Sequence, residues 1–201
     1  MRHAHEHGAR QERRFDPARA AMLDDPARFG YLPPADALAL LDPPDDAATI
    51  VDFGAGTGAY AIEIARALPH ARVVAYDNQP EMLALLEAKP QFAQLRNIET
   101  ALPGALAALR GGVTRVFALN VLHELSLDDL AQVKALLRSE GMLLVVDWYA
   151  EAERPVGPPR DHTYTRDEAK ARLALAGFAV TEAQRFPYHY ALRCTAGEAA
   201  A

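Results

Sequence analysis

The sequence predicts an α/β fold: a doubly wound, mostly parallel seven-stranded sheet with an antiparallel strand at its C-terminal end. Three observations predict it. Strand-like and helix-like apolar patterns alternate from Ala48 to Gly177, the rhythm of a parallel sheet with helices on both faces. The first strand run passes through "VDFGAGTGAY", with glycines at 54, 56 and 58, straight into a helical pattern. Glycine has no Cβ, so such a turn brings backbone close to a ligand. Two strand-like runs about Pro187 close the chain, too near each other for a crossover helix, which argues antiparallel pairing.

Each element has its local reason. Residues 1–34 read as an arm, polar at first and then punctuated by prolines at 17, 26, 33 and 34, so short helical turns are expected. Ala35 to Leu41 is a short apolar helix closed by "DPPDD". "TIVDF" is the first strand and Tyr60 to Leu68 the helix after it. "ARVVAYD" is the second strand, and "QPEMLALLEAK" a helix with Pro80 in its first turn. "LRNIE" is a weak third strand and "PGALAALR" an apolar helix. "VTRVFALN" is the fourth strand. "SLDDLAQVKALLRS" is a helix capped by Ser126, with Asp129 three residues on. "GMLLVVDW" is the fifth strand and "EAERPVGPPRDHTY" a loop. Thr165 and Glu168 cap a helix that Gly177 ends. "FAVTEAQRF" and "YHYALRCT" complete the sheet. The organisation expected is an N-terminal arm over 1–34, placed to act as a lid, and one ligand-binding domain over 35–201.

The 201 residues suffice for one domain. Half are hydrophobic and 24% charged, an ordinary balance. No apolar run approaches the ~20 residues of a membrane span. The N-terminus is charged without an apolar core, unlike a secretory signal, so a cytoplasmic location is expected. Cys194 is the single cysteine, which excludes an intrachain disulfide and a multi-cysteine metal site. The net charge of −6 argues against a nucleic-acid substrate. His3, His5 and His7 could chemically hold a metal, but a flexible tail is the plainer reading, and no metal is expected.

The glycine turn alone leaves two ligands open. Gly54, Gly56 and Ala59 satisfy the relaxed dinucleotide fingerprint, with Asp77 about 20 residues on. Two features oppose a dinucleotide. Asp52 sets a carboxylate just before the loop, which repels a pyrophosphate and attracts a ligand carrying ammonium and sulfonium charges. The chain also ends in a strand, helix, strand, strand pattern instead of a second mononucleotide-binding half.

Both features resemble the class I S-adenosylmethionine (SAM)-dependent methyltransferases. The resemblance rests on "VDFGAGTGAY", "VVAYDNQPEML", "ALNVLHEL" and "GMLLVVDW", which together span most of Ile50 to Trp148. The "VDW" and "GPP" segments, His162 and "FPYHY" are similar to a small-molecule subgroup related to the quinone and arsenite methyltransferases. With one cysteine, arsenite itself is disfavoured. The resemblance implies a Rossmann-like fold, SAM as cofactor and a small-molecule methyl acceptor, with a homodimer left open. It implies that Asp52, Phe53, Gly54, Ala55, Gly56, Thr57 and Gly58 hold the methionine end and Asp77 the ribose hydroxyls. Asn78 and Met82 would border the adenine, and Asn120 and Val121 would lie beneath the sulfonium. The sequence departs from the family after the third strand, where "IETALPGALAAL" lacks the usual acidic residue. Adenine would then be held by backbone near Ala101 and Leu102.

Methyl transfer is an in-line displacement, so the protein mainly aligns the nucleophile and excludes water. A base is needed only if the acceptor loses a proton. His123, past the fourth strand, is a candidate base or a loop cap. Glu124 is expected to partner the arm or a loop amide. Asp147 and Trp148, ending the fifth strand, either line a pocket or cover the core. His162 and Tyr164 stand on a proline-stiffened loop at the same edge and are candidates for acceptor contact. His189 faces opposite to Tyr188 and Tyr190. A SAM-binding regulatory protein without catalysis is the alternative, followed by an NAD-dependent dehydrogenase.

Overall fold

The structure is a computed structural model that describes residues 15–43 and 48–197; His3, His5 and His7 lie outside them. Seven strands form one sheet: β1 (Thr49–Phe53), β2 (Arg72–Tyr76), β3 (Ile98–Ala101), β4 (Val113–Leu119), β5 (Leu137–Trp148), β6 (Phe178–Arg185) and β7 (His189–Ala196). Their order is β3-β2-β1-β4-β5-β7-β6. The first five run parallel, and β7 lies antiparallel between β5 and β6. The seven-stranded α/β architecture read from the alternating pattern is therefore the one observed.

Strand order reverses between β1 and β4. In open α/β sheets the crevice at the carboxyl ends of such a pair is the natural ligand site. The central strands are apolar on both faces because both are covered. Along β1, Ile50 packs into one core and Val51 into the other, the two-residue alternation of a strand. On one face lie α2 (Pro34–Leu41) and α3 (Ala59–Ala67), which contribute Leu41, Ile62 and Ile64. On the other, α6 (Leu127–Leu136) and α7 (Arg166–Leu175), which come after α4 (Pro80–Glu87) and α5 (Pro90–Gln94) in the chain, contribute Leu130, Val133 and Leu173. Both of these helices begin with the capping box expected of them, Ser126 with Asp129 and Thr165 with Glu168.

Three segments differ from the sequence expectation. The third strand begins at Ile98, because the Asn97 side chain is taken up by the carbonyls of Ala65, Leu68 and Ala71. "PGALAALR" makes only a 3-10 turn, Ala105–Leu109, squeezed between Gly104 (φ 95°) and Gly111 (φ 70°). The helix after Ser126 stops at Leu136, because Leu137 turns extended and pairs with Val113 as the first residue of β5.

Among the described residues the arm holds a 3-10 turn, Pro17–Asp24, and α1 (Arg28–Tyr31). Its far end is anchored: Leu32 is fully buried and its carbonyl accepts a 2.9 Å hydrogen bond from the Tyr60 hydroxyl.

Candidate functional site

β1 ends at Phe53 and the chain turns at once through Gly54 (φ 82°), a conformation costly for any residue with a Cβ. The Gly54 and Ala55 amides both donate to the Tyr76 carbonyl at 2.8 Å, which pins the loop to the end of β2. From the other side, a Cβ on Gly54 would stand 2.6 Å from Cγ2 of Val121. The loop is thus wedged between the carboxyl ends of β2 and β4. Asp77 follows β2 and braces it further: the Gly56 amide donates to Oδ2 at 2.8 Å and the Gln79 amide to Oδ1 at 2.9 Å.

A cleft of about 230 Å³ opens over this loop. Asp52, Phe53, Gly54, Ala55, Gly56, Thr57, Asp77, Asn78, Met82, Asn120 and Val121 all line it. Three residues expected there lie elsewhere. Gly58 packs against Leu86 at the start of α3. Ala101 is in the core, its carbonyl accepting from the Asp77 amide at 3.3 Å. Leu102 points outward, 42% exposed. In their place Gln79, Ser126 and Asp129 join the lining. Two carboxylates, Asp52 and Asp77, are buried here. Burial, and then the charge of Asp77, push the Asp52 carboxyl well above its usual range. Such a site is relieved by a cationic, hydroxyl-bearing ligand and repels a pyrophosphate.

A second cleft, of about 1050 Å³, adjoins the first. Asn120 lines both and holds a left-handed backbone, φ 59°. Among the described residues its side-chain amide has no hydrogen-bond partner. A strained, unpartnered polar residue at a seam between clefts is the kind of feature that functional sites retain.

His123 and Trp148 line the second cleft. His123 Nδ1 lies 3.0 Å from both oxygens of Asp147, and the His123 amide donates to Oδ2 at 2.9 Å. The Trp148 amide donates to Oδ1 at 2.7 Å. Asp147 is fully buried. Its contacts assign the Nδ1 proton to the shared bond and leave Nε2 of neutral His123 with its lone pair, 3.7 Å from Glu124. Burial pulls the imidazole pKa down, but the charge and hydrogen bond of Asp147, with help from Glu124, more than offset it, so it stands above its usual value. His162 also lines this cleft. Tyr164 does not: it packs against the core, with the Arg172 guanidinium 5.5 Å from its ring.

Three residues of the arm, Phe15, Leu23 and Arg28, line both clefts. Glu124 accepts from the Phe15 amide at 3.1 Å, the arm contact expected of it, and Gln79 donates to the Phe15 carbonyl at 3.2 Å. Asp24 receives the Thr57 hydroxyl at 2.7 Å and the Lys89 ammonium at 2.6 Å. Tyr31 packs among Trp148, Tyr188 and His189. His189 itself is buried against Trp148, ring centroids 4.1 Å apart, and burial lowers its pKa to about 4. Nothing in the arm's own sequence announced Arg28; its place depends on where the arm folds.

Comparison with known proteins agrees with this geometry. Residues 50–141 match a methyltransferase domain family. A SAM-dependent methyltransferase structure from Aquifex aeolicus superposes with a TM-score of 0.82 at 27% identity, covering 90% of this chain and 98% of that one. The DhpI complex with S-adenosylhomocysteine (SAH) has a TM-score of 0.65 at 20% identity over 91% and 94% of the two chains, a likeness of fold. The release factor glutamine methyltransferase of Escherichia coli is 31% identical over 68 residues, 34% of this chain. The chain spans only 24% of that relative's length. The fold is that of the SAM-dependent methyltransferases, and the cofactor that belongs to it is SAM, whose ammonium and ribose hydroxyls suit the two carboxylates of the first cleft. No helix among the described residues is long and apolar enough to cross a membrane.

Proposed function

We propose that this chain, a SAM-dependent methyltransferase by domain and fold, methylates a small-molecule acceptor held in the second cleft, with His123 as general base. The observation that carries the proposal is the His123–Asp147 pair beside the seam where the first cleft meets the second. When bound, SAM supplies a methyl group already activated by the sulfonium charge. The protein's residues do the rest. Asp52 and the backbone of residues 53–58 hold the methionine end, and Arg28 offers its carboxylate a guanidinium. Asp77 receives the ribose hydroxyls, and Asn78 and Met82 border the adenine. Asp129 also lines the cleft, with Oδ2 engaged by the Ser126 amide and hydroxyl.

In the second cleft Asp147 fixes the tautomer and orientation of His123. Nε2 is then free to take a proton from an acceptor hydroxyl or amine. A base with a pKa somewhat above its ordinary value suits work near neutral pH. Asn120 at the seam offers its unpartnered amide to the ligands on either side. His162 lies on the outer wall of the acceptor cleft. The arm and the loop over 154–162 act as a lid that excludes water, which protects an activated methyl from hydrolysis. A small acceptor accords with a cleft of about 1050 Å³ and a net charge of −6.

Calorimetry with SAH and with NAD, followed by a turnover assay for SAH release, tests the reading. SAH binding with turnover that is lost in His123→Gln is expected. Binding of SAH without turnover on any acceptor would favour the non-catalytic alternative, and binding of NAD instead would overturn both.

A further inference from the structure

The second cleft carries an unusual charge for so acidic a protein. Four arginines line it, Arg19, Arg154, Arg160 and Arg28, the last of which also faces the first cleft, against three carboxylates, Asp16, Glu124 and Asp161. Other arginines of the chain, Arg66, Arg72 and Arg166, have carboxylate partners. Among the described residues none of the four lining the cleft forms an ion pair. Arg154 spends its Nη atoms on the carbonyls of Tyr149 and Pro158, at 2.8 and 2.6 Å, while its Nε–H has no hydrogen-bond partner among the described residues. Burial, and then the nearby charge of Arg160, lower the Arg154 pKa. Two guanidiniums that repel each other across a cleft wall are stabilised by an anion between them.

Flat-sided apolar groups stand among these charges: Tyr31, Trp148, Val156 and Pro159. The base faces the same space, since His123 lines this cleft too. At about 1050 Å³ the cleft has room for a substituted ring system.

We propose that the acceptor is an aromatic hydroxy acid, with its carboxylate at Arg154 and Arg160 and its hydroxyl at His123 Nε2. The inference rests on the methyltransferase reading and adds the class of acceptor to it. The chemistry balances. The acceptor hydroxyl gives its proton to His123 as its oxygen bonds to the methyl carbon. The electrons of the broken carbon–sulfur bond stay on sulfur, leaving a neutral thioether. The imidazolium then returns the proton to solvent. Arg154 and Arg160 position the anion and take no part in the proton transfer.

The test is calorimetric and needs no turnover. The full chain is saturated with SAH, then titrated with 3- and 4-hydroxybenzoate and, separately, with 3- and 4-hydroxybenzyl alcohol. At least one acid should bind tenfold or more tighter than its alcohol. Arg160→Gln should weaken the acid about fivefold and leave the alcohol unchanged. Arg154→Gln should do the same; because that side chain also braces its loop, Arg160→Gln is the cleaner probe. Equal affinity for acid and alcohol, unchanged acid affinity in both variants, or no acid binding by a protein that does bind SAH would each overturn the proposal. Failure to bind SAH at all would instead overturn the reading beneath it.

Discussion

Replacing Asp147 by Asn tests the His123 pair without changing its shape. Asp147 accepts from the backbone amides of His123 and Trp148 and from the His123 ring, and it is fully buried. An amide has one acceptor oxygen. Whichever way Asn is turned, its NH2 group faces a backbone N–H, so one charge-assisted hydrogen bond is lost and one buried donor is left unsatisfied. These cost about 1.5–3 and about 1–3 kcal/mol, and breaking a buried charged pair costs roughly 3–5 kcal/mol in all. That is a large share of the ~5–15 kcal/mol of a typical domain. Urea titration would read the loss, and saturating SAH would restore about 2.7 kcal/mol at 100 times its Kd. The diagnostic readout is the His123 pKa, followed by NMR of its ring. In the wild type Asp147 holds it above the ordinary value against the pull of burial. In Asp147→Asn burial, the largest influence, is joined by the charge of Arg154 and opposed only by that of Glu124, so the pKa should fall below about 6.5. The acid limb of kcat/KM should move down with it while the maximal rate drops. A folded variant whose His123 still titrates above 6.5 would refute the assignment of Asp147 as the residue that tunes the base.

Other outcomes follow from the same structure. In the wild type, methyl transfer should fall as pH drops through the raised His123 pKa, because the base must be neutral. The stability contributed by His123 runs the other way: it is full below about pH 6.5 and is lost as pH rises through the folded-state pKa, which pH-dependent melting would show. Asp77→Ala should weaken SAH binding by at least about 1.5–3 kcal/mol in calorimetry, because the side chain that would meet the ribose also holds Gly56 and Gln79. Gly54→Ala should lower stability by roughly 2–4 kcal/mol in thermal melts, the sum of a positive φ and a collision with Val121. Asp24→Ala frees the arm from Thr57 and Lys89; the pair is partly exposed, so stability should change by about 1 kcal/mol or less, while SAH dissociation measured by stopped flow should quicken.

What was legible in the sequence was local. The glycines, Asp52 and Asp77 announce themselves because a tight turn and a strand end need those residues at those spacings. Capping at Ser126 and Thr165 is written within four residues. The His123–Asp147 pair spans 24 residues and forms only because β4 and β5 are parallel neighbours, with Leu119 opposite Val146. Given that pairing Asn120 stands at the end of β5, its amide donating to the Val146 carbonyl, and the turn from Val121 to Glu124 brings His123 back to Asp147; strand order and that turn were the missing steps. Arg28 could not be placed, because an arm docked by a few contacts from Phe15, Asp24 and Tyr31 has no periodicity to read. Ala101 ends, and Leu102 follows, a strand whose start was misjudged, so their facing was misjudged as well.

Phe15, Leu23 and Arg28 line both clefts, and a party wall shared by cofactor and proposed acceptor would impose an itinerary. An acceptor resting against the arm holds the arm down, and the arm in turn roofs the first cleft. The nucleoside must then arrive first and leave last. Steady-state kinetics should be sequential and ordered, with SAH competitive against SAM and noncompetitive against the acceptor. Excess acceptor should slow turnover by detaining spent SAH beneath a closed roof. The same few residues that keep water out would thereby set the tempo of release.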